Sequence, residues 1–224
     1  MPHAAAHPRW WEKTVEYAFV LNYLPQAASI APLAGKEETA YGDAQVQIDG
    51  QYMLIEFKAR WTDVPSEAKK FARSQAYADG ELTASDMAHL LEKALSKLRM
   101  LPQSMAHQLV FGYEDNEDLR LGSVPYTEIA NKKPGARRLN KAAVESLPRV
   151  PRDAMAAYLQ LLQELRGTEL PSGGSAVVCL SASGTSLMTI GEFMTREPSG
   201  EPAYVPPTPS ENESHYQRTM KHRG

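Results

Sequence analysis

Asp43, Glu56 and Lys58 are the residues whose types and spacing bear on chemistry first. Two carboxylates held a few ångströms apart make a hard oxygen site. Mg2+ suits such a site, because it takes one or two protein carboxylates together with water and phosphate oxygens. An ammonium beside the metal can orient an attacking water or help remove its proton. Acid, acid and ammonium together are the parts of metal-assisted phosphodiester hydrolysis.

The stretch Tyr41–Arg60 has to bring them together. It reads as two short strands joined by Asp49-Gly50, a strong hairpin pattern, since a type I′ turn needs positive φ at both central residues. The tight turn sets the register. Ile48 faces Gln51, Val46 faces Met53, Ala44 faces Ile55, and Asp43 faces Glu56. Ala44, Val46, Met53, Ile55 and Phe57 share an apolar side that faces a core; Asp43, Gln45, Gln47, Tyr52, Leu54, Glu56 and Lys58 share the other. Opposed Cβ atoms stand roughly 4.5–5.5 Å apart, and like charges at that spacing destabilise a sheet. A counterion is therefore expected. Lys58 supplies part of it, and a divalent cation would supply more.

Gly42-Asp43, twelve intervening residues, then Glu56-Phe57-Lys58 at the end of a hydrophobic strand resembles the PD-(D/E)XK nuclease superfamily. The resemblance implies a restriction-endonuclease-like α/β core, a mixed central sheet flanked by helices. It implies Mg2+ (or Mn2+) held by Asp43 and Glu56 with the Phe57 carbonyl as a further ligand, Lys58 acting on water, and nucleic acid, DNA first, as substrate. It also implies an acid from the first helix, Glu16 ahead of Glu12, and a glutamine on the helix after the Glu-x-Lys strand, for which Gln75 is a loose match. Many members pair to cut both strands, which leaves room for a homodimer. Structural readings stand beside these. Asp43 after a glycine can be a turn residue, Glu-x-Lys can be a solvated strand face, and Glu12 and Glu16 can be surface residues.

Substrate contacts are sought in cations and aromatics near that strand. Arg60 and Trp61 follow it directly; Arg grips phosphate in bidentate fashion and Trp stacks on bases. Lys69, Lys70 and Arg73 form either a phosphate-facing ridge or the wet side of a helix. Lys132, Lys133, Arg137, Arg138 and Lys141 place five positive charges within ten residues, with no acid among them. They fit either a phosphate-backbone patch or a basic surface loop.

The 224 residues carry a net charge of −3, so any nucleic-acid surface must be concentrated on one face. No apolar run is long enough to span a membrane, and the start lacks the apolar core of a secretory leader. The single cysteine, Cys179, lies in an apolar run and reads as a buried small hydrophobe. One cysteine argues for a reducing compartment, so the cytoplasm is expected. The organisation expected is a flexible 1–8, one domain over 9–195 and a disordered Pro-rich tail over 196–224. Helices are expected over Trp10–Leu24, from a Ser66 cap to about Tyr77, over Thr83–Leu101 and over Asp153–Arg166 with Asp153 as cap. Strands are expected over 108–113, 119–124, 175–180 and 187–193. The rival functions are a binding module on the same fold, which holds nucleic acid or protein without cutting, and an assembly protein whose hairpin charges are incidental.

Overall fold

The computed structural model describes residues 10–26, 28–33, 36–72, 82–131, 135–168, 176–181, 184–190 and 192. Gln75, Arg73, Lys132, Lys133, the 1–8 segment and the 196–224 tail lie outside them. The chain begins with α1 (Glu12–Asn22), β1 (Ser29–Pro32) and α2 (Lys36–Ala40), and then forms the expected hairpin of β2 (Ala44–Ile48) and β3 (Gln51–Lys58). A 3-10 helix (Trp61–Glu67) and α3 (Ala68–Ala72) follow. After α4 (Ala84–Arg99) come β4 (His107–Asp115), β5 (Asp118–Pro125), β6 (Arg137–Arg138), α5 (Lys141–Glu145) and β7 (Val150–Pro151). The last elements are α6 (Arg152–Arg166), β8 (Ala176–Ser181) and β9 (Gly184–Thr189).

Among the described residues one mixed sheet runs β6-β5-β4-β3-β2-β1-β8-β9, with β7 pairing β3 as well. Asp49 and Gly50 take φ of 52° and 70°, the left-handed pair the turn demands. The register is the one the turn dictates, from Ala44 opposite Ile55 to Ile48 opposite Gln51. On its other edge β3 runs parallel to β4, with Glu56 beside Leu109 and Lys58 beside Phe111. A parallel pair needs a long crossover, and the chain between Lys58 and His107 supplies it with α3 and α4. β3 is thus paired with β2 up to Ile55, and its last three residues, Glu56–Lys58, are paired with β4.

Both sheet faces are covered. On one, Val15 and Phe19 of α1 and Val144 of α5 pack on Val46, Met53, Ile55 and Phe57. Phe19 and Phe57 meet edge to face with centroids 5.6 Å apart. On the other, Phe71, Leu95, Leu98, Tyr126, Tyr158 and Leu162 enclose Tyr52 and Leu54. The side of the hairpin that carries the polar residues therefore faces a second core, not water, and Glu56 and Lys58 are buried there.

Local chemistry explains the departures from the sequence expectations. Ser66 caps nothing; it lies inside the 3-10 helix, beside Pro65, which has no N–H to continue an α-helical ladder. α6 starts one residue early with Pro151 as its cap, and Asp153 sits in its first turn. Thr83 and Asp86 do form the capping box on α4. Gly167, at φ 62°, ends α6. The acidic run 114–118 spans the paired ends of β4 and β5 and the two-residue turn between them, Asn116 and Glu117, both at positive φ. β9 begins at Gly184, ahead of the expected 187. Cys179 is fully buried, as its apolar neighbours imply. Among the described residues no helix is long and apolar enough to cross a membrane.

Candidate functional site

β2 and β3 part company at Asp43. Its backbone N–H donates to the Ile55 carbonyl at 2.9 Å, while its Oδ2 accepts from the Phe57 N–H and replaces the next ladder bond. Its own carbonyl accepts from the Leu33 N–H at 2.7 Å. Gly42 makes the approach feasible. It sits at φ 151°, and a Cβ there would lie 3.2 Å from the Ile55 carbonyl and 3.4 Å from Glu56 Oε2. The Asp43 carboxylate is fixed to the strand that carries Glu56.

Glu56 is fully buried. Its Oε1 accepts from Lys58 Nζ at 3.3 Å and from Lys70 Nζ. Its Oε2 has no hydrogen-bond partner among the described residues, and Arg166 Nη2 stands 3.7 Å away. Lys58 Nζ also donates to the Phe57 carbonyl at 2.9 Å and to Glu12 Oε2 at 3.3 Å, and lies 3.0 Å from Glu67 Oε1. Lys70 Nζ is 3.4 Å from the same Glu67 oxygen. Glu67 Oε2 accepts from the Tyr126 hydroxyl at 2.7 Å, and that hydroxyl accepts from Arg166 Nη2 at 2.9 Å. Behind Tyr126 the His107 ring stacks at 3.9 Å, with Nδ1 2.9 Å from the Tyr158 hydroxyl.

The electrostatics follow from burial and these contacts. Burial raises the Asp43 pKa well above the usual carboxylate range, and Glu56 adds to the rise. Burial also pushes Glu56 up, but Lys70, Lys58 and Arg166 outweigh it and hold Glu56 at about 2. Lys58 would be pulled down by burial, yet Glu56, Glu67, Asp43 and Glu12 raise it above its ordinary value, so it remains an ammonium. Burial raises Glu12 despite Lys58. Burial and Arg166 lower His107 well below its ordinary value, so it is neutral. Four acids, Asp43, Glu56, Glu67 and Glu12, thus face three cations, Lys58, Lys70 and Arg166.

The other expected residues are placed as follows. Glu16 is buried on α1 but pairs with Lys13 at 2.6 Å; one helical turn earlier, Glu12 is the α1 acid that reaches Lys58. Lys13 in turn feels the Asp43 carboxylate, so Glu16 neighbours the pair through a cation. Arg60 lies over the Trp10 ring at 5.1 Å, and Trp10 Nε1 donates to the Ala59 carbonyl at 2.7 Å. Trp61 is half-buried against Phe111, with ring centroids 5.3 Å apart. It also lines an apolar cavity of about 520 Å³ with Val64, Pro65, Met87, Leu91 and Ile129. Arg137, Arg138 and Lys141 are exposed beyond β5; Arg137 donates to Ser146 Oγ at 2.8 Å, and Arg138 is 3.5 Å from Asp115. β6 stands three strands from β3 in the sheet order, about 14 Å at ordinary strand spacing.

No protein-family model, no curated protein and no solved structure matches this chain. Its chemistry has to be argued from the cluster itself. Asp43 and Glu56 fit a hard cation that needs only two protein carboxylates, and Glu56 Oε2, which makes no hydrogen bond among the described residues and meets Arg166 only at 3.7 Å, could turn to such an ion. Among the described residues no three His, Cys, Asp or Glu groups stand together as a full protein ligand set. The Phe57 carbonyl is a weaker candidate than expected, because it accepts from Lys58.

Sequence reasoning did not find Glu67 or Arg166. Arg166 had a readable mark: it continues the stripe Met155, Tyr158, Leu159, Leu162 of α6 at helical spacing, so an arginine occupies a position due to be buried. Glu67 had none: with a cap expected at Ser66 it falls in a helix's first turn, where an acid is ordinary.

Proposed function

We propose that this chain is a Mg2+- or Mn2+-dependent nuclease, hydrolysing phosphodiester bonds in nucleic acid, with DNA as the first substrate to test, on a restriction-endonuclease-like core. One observation carries the reading. The hairpin forces Asp43 and Glu56 together at the point where the ladder opens, and among the described residues Glu56 Oε2 is buried there without a hydrogen bond, with Arg166 Nη2 standing off at 3.7 Å. Burying a carboxylate oxygen without a hydrogen bond is costly; Arg166 offsets part of that cost from 3.7 Å, and a directly bound metal ion would offset more.

Asp43 and Glu56 would hold the metal, which when bound polarises a phosphoryl oxygen and acidifies a water. Lys58, Lys70 and Arg166 keep Glu56 ionised and ready to ligate. Glu12 and Glu16 ring the site from α1. Arg60 and Trp61 leave the end of β3 where a nucleic-acid backbone would pass, and Arg137, Arg138 and Lys141 offer phosphate contacts farther along the sheet. Lys132 and Lys133 belong to the same basic run. Cleavage of both strands of a duplex would call for a homodimer.

The decisive experiment incubates the purified chain with plasmid, single-stranded DNA and RNA in Mg2+, Mn2+ or EDTA. The expected result is cleavage that needs metal and disappears in a folded Glu56→Ala variant. Intact substrate under every metal, with a clear mobility shift, would refute it in favour of a second reading. That reading is a non-catalytic nucleic-acid- or protein-binding module, and a specific observation favours it. The chain's own lysines already occupy Glu56 Oε1 and the Phe57 carbonyl.

A further inference from the structure

Resting on the nuclease reading, we propose that Lys70, rather than Lys58, is the ammonium that meets the substrate phosphate, and that Lys58 is a fixed internal counterion. The two amines share Glu56 Oε1 and Glu67 Oε1, yet their surroundings differ. An ammonium has three N–H donors. Lys58 has four oxygens around it: the Phe57 carbonyl at 2.9 Å, Glu67 at 3.0 Å, and Glu56 and Glu12 at 3.3 Å each. Its side chain is 7% exposed and projects from β3, which is bonded to β2 on one edge and β4 on the other. Its three donors are fewer than the oxygens around it, so none is left over.

Lys70 differs on each count. Its side chain is 19% exposed, and among the described residues its ion pairs are with Glu56 and Glu67 alone. It projects from α3, whose Ala68 and Phe71 belong to the second core while Lys70 lies between them and solvent. A lysine is a compact charge on a flexible stem, so from this position it can turn from a carboxylate toward an entering phosphate. It stands against the very carboxylate proposed to hold metal, which brings a phosphate bound there within its range. Lys70 then donates a hydrogen bond to a phosphoryl oxygen and releases Glu56 Oε1 from one of its two ammonium partners. No proton leaves Lys70 in this role. It is a catalytic residue by contact and charge, and Lys58 is a positioning residue for Glu56 and Glu67.

The test is lysine labelling of the full chain by reductive methylation, read by peptide mass spectrometry, with and without a phosphorothioate DNA duplex in Ca2+. Lys70 should label at least about tenfold faster than Lys58, and the duplex should slow Lys70 selectively. In cleavage assays Lys70→Gln should lower kcat by about 10²-fold or more, the usual cost of removing one preorganised donor to developing charge. Lys70→Arg should restore part of the loss. Lys58→Gln should chiefly lower the melting temperature; if it does not fold, Lys58→Arg, which keeps the charge, should retain measurable cleavage. Equal labelling of the two lysines, duplex protection of Lys58 instead, or an undiminished rate in Lys70→Gln would each overturn the assignment and leave the nuclease reading standing. A chain that cuts nothing, but whose Lys70 the duplex still protects, keeps Lys70 as the phosphate contact and removes the nuclease reading alone.

Discussion

Asp43→Asn should make the metal-free protein more stable while abolishing its response to divalent cations. Asp43 is buried beside Glu56, and both burial and that neighbour disfavour its charge. Two unit charges about 5 Å apart at an effective dielectric constant of about 20 repel by about 3 kcal/mol. Lys58 and Lys70 stand against the same carboxylates and cancel part of this, which leaves about 1–2 kcal/mol to be recovered. The asparagine oxygen can still accept from the Phe57 N–H, so the strand junction is retained. For a chain of this size the gain corresponds to a rise of roughly 2–8 °C in melting temperature. The assay is thermal unfolding followed by circular dichroism, parent against variant, in EDTA and in millimolar Mn2+. The parent should gain stability from Mn2+ by mass action, and the variant should not. A variant that melts several degrees below the parent in EDTA would show that Asp43 is held by a structural partner, and the reasoning from paired charges would fail.

Arg166→Met should destabilise the protein by about 3–5 kcal/mol, because it strips a buried cation from Glu56 and Glu67 and a donor from the Tyr126 hydroxyl, leaving Lys58 and Lys70 alone to balance the buried acids; urea unfolding of the variant measures it, and a loss below about 1 kcal/mol would refute the network. Acid should unmask Glu56: its folded pKa is about 2 against about 4.3 unfolded, so its contribution is complete above the unfolded value and is lost as pH falls from about 4 through about 2. Asp43 has the opposite sign: its raised folded pKa costs stability as pH climbs above the unfolded value near 3.9. Urea titrations across pH 3 to 8 should therefore show Glu56→Gln flattening the acid limb and Asp43→Asn flattening the decline above it; identical profiles in parent and variants would contradict both assignments.

The hairpin was legible in the sequence because local rules determine it. Asp49-Gly50 fixes the turn, the turn fixes the register, and the register brings Asp43, one residue past the last paired position, against the end of β3 that carries Glu56. α4 was legible for similar reasons, through its capping residues and one apolar stripe. The surroundings of the site were not, because they come from far along the chain. Arg166 and Tyr126 reach Glu67 only after β4 has paired parallel to β3 and α6 has packed across the same face. Alternation within the hairpin suggested a wet second face, yet helices that contribute Phe71, Leu95 and Leu162 cover it. The ranking of Glu16 over Glu12 turned on one helical turn, which depends on how α1 is offset along β3.

The tie between Trp10 and the end of β3 has a practical consequence. Trp10 donates to the carbonyl of Ala59, next to Lys58, and its indole fits there because Gly112 has no side chain to block it. Trp61, two residues beyond Ala59, leans on Phe111, and the one remaining tryptophan, Trp11, is 75% exposed. Two of the chain's three tryptophans thus border the charged cluster, so tryptophan emission spectra can follow cation or oligonucleotide titrations without any attached dye.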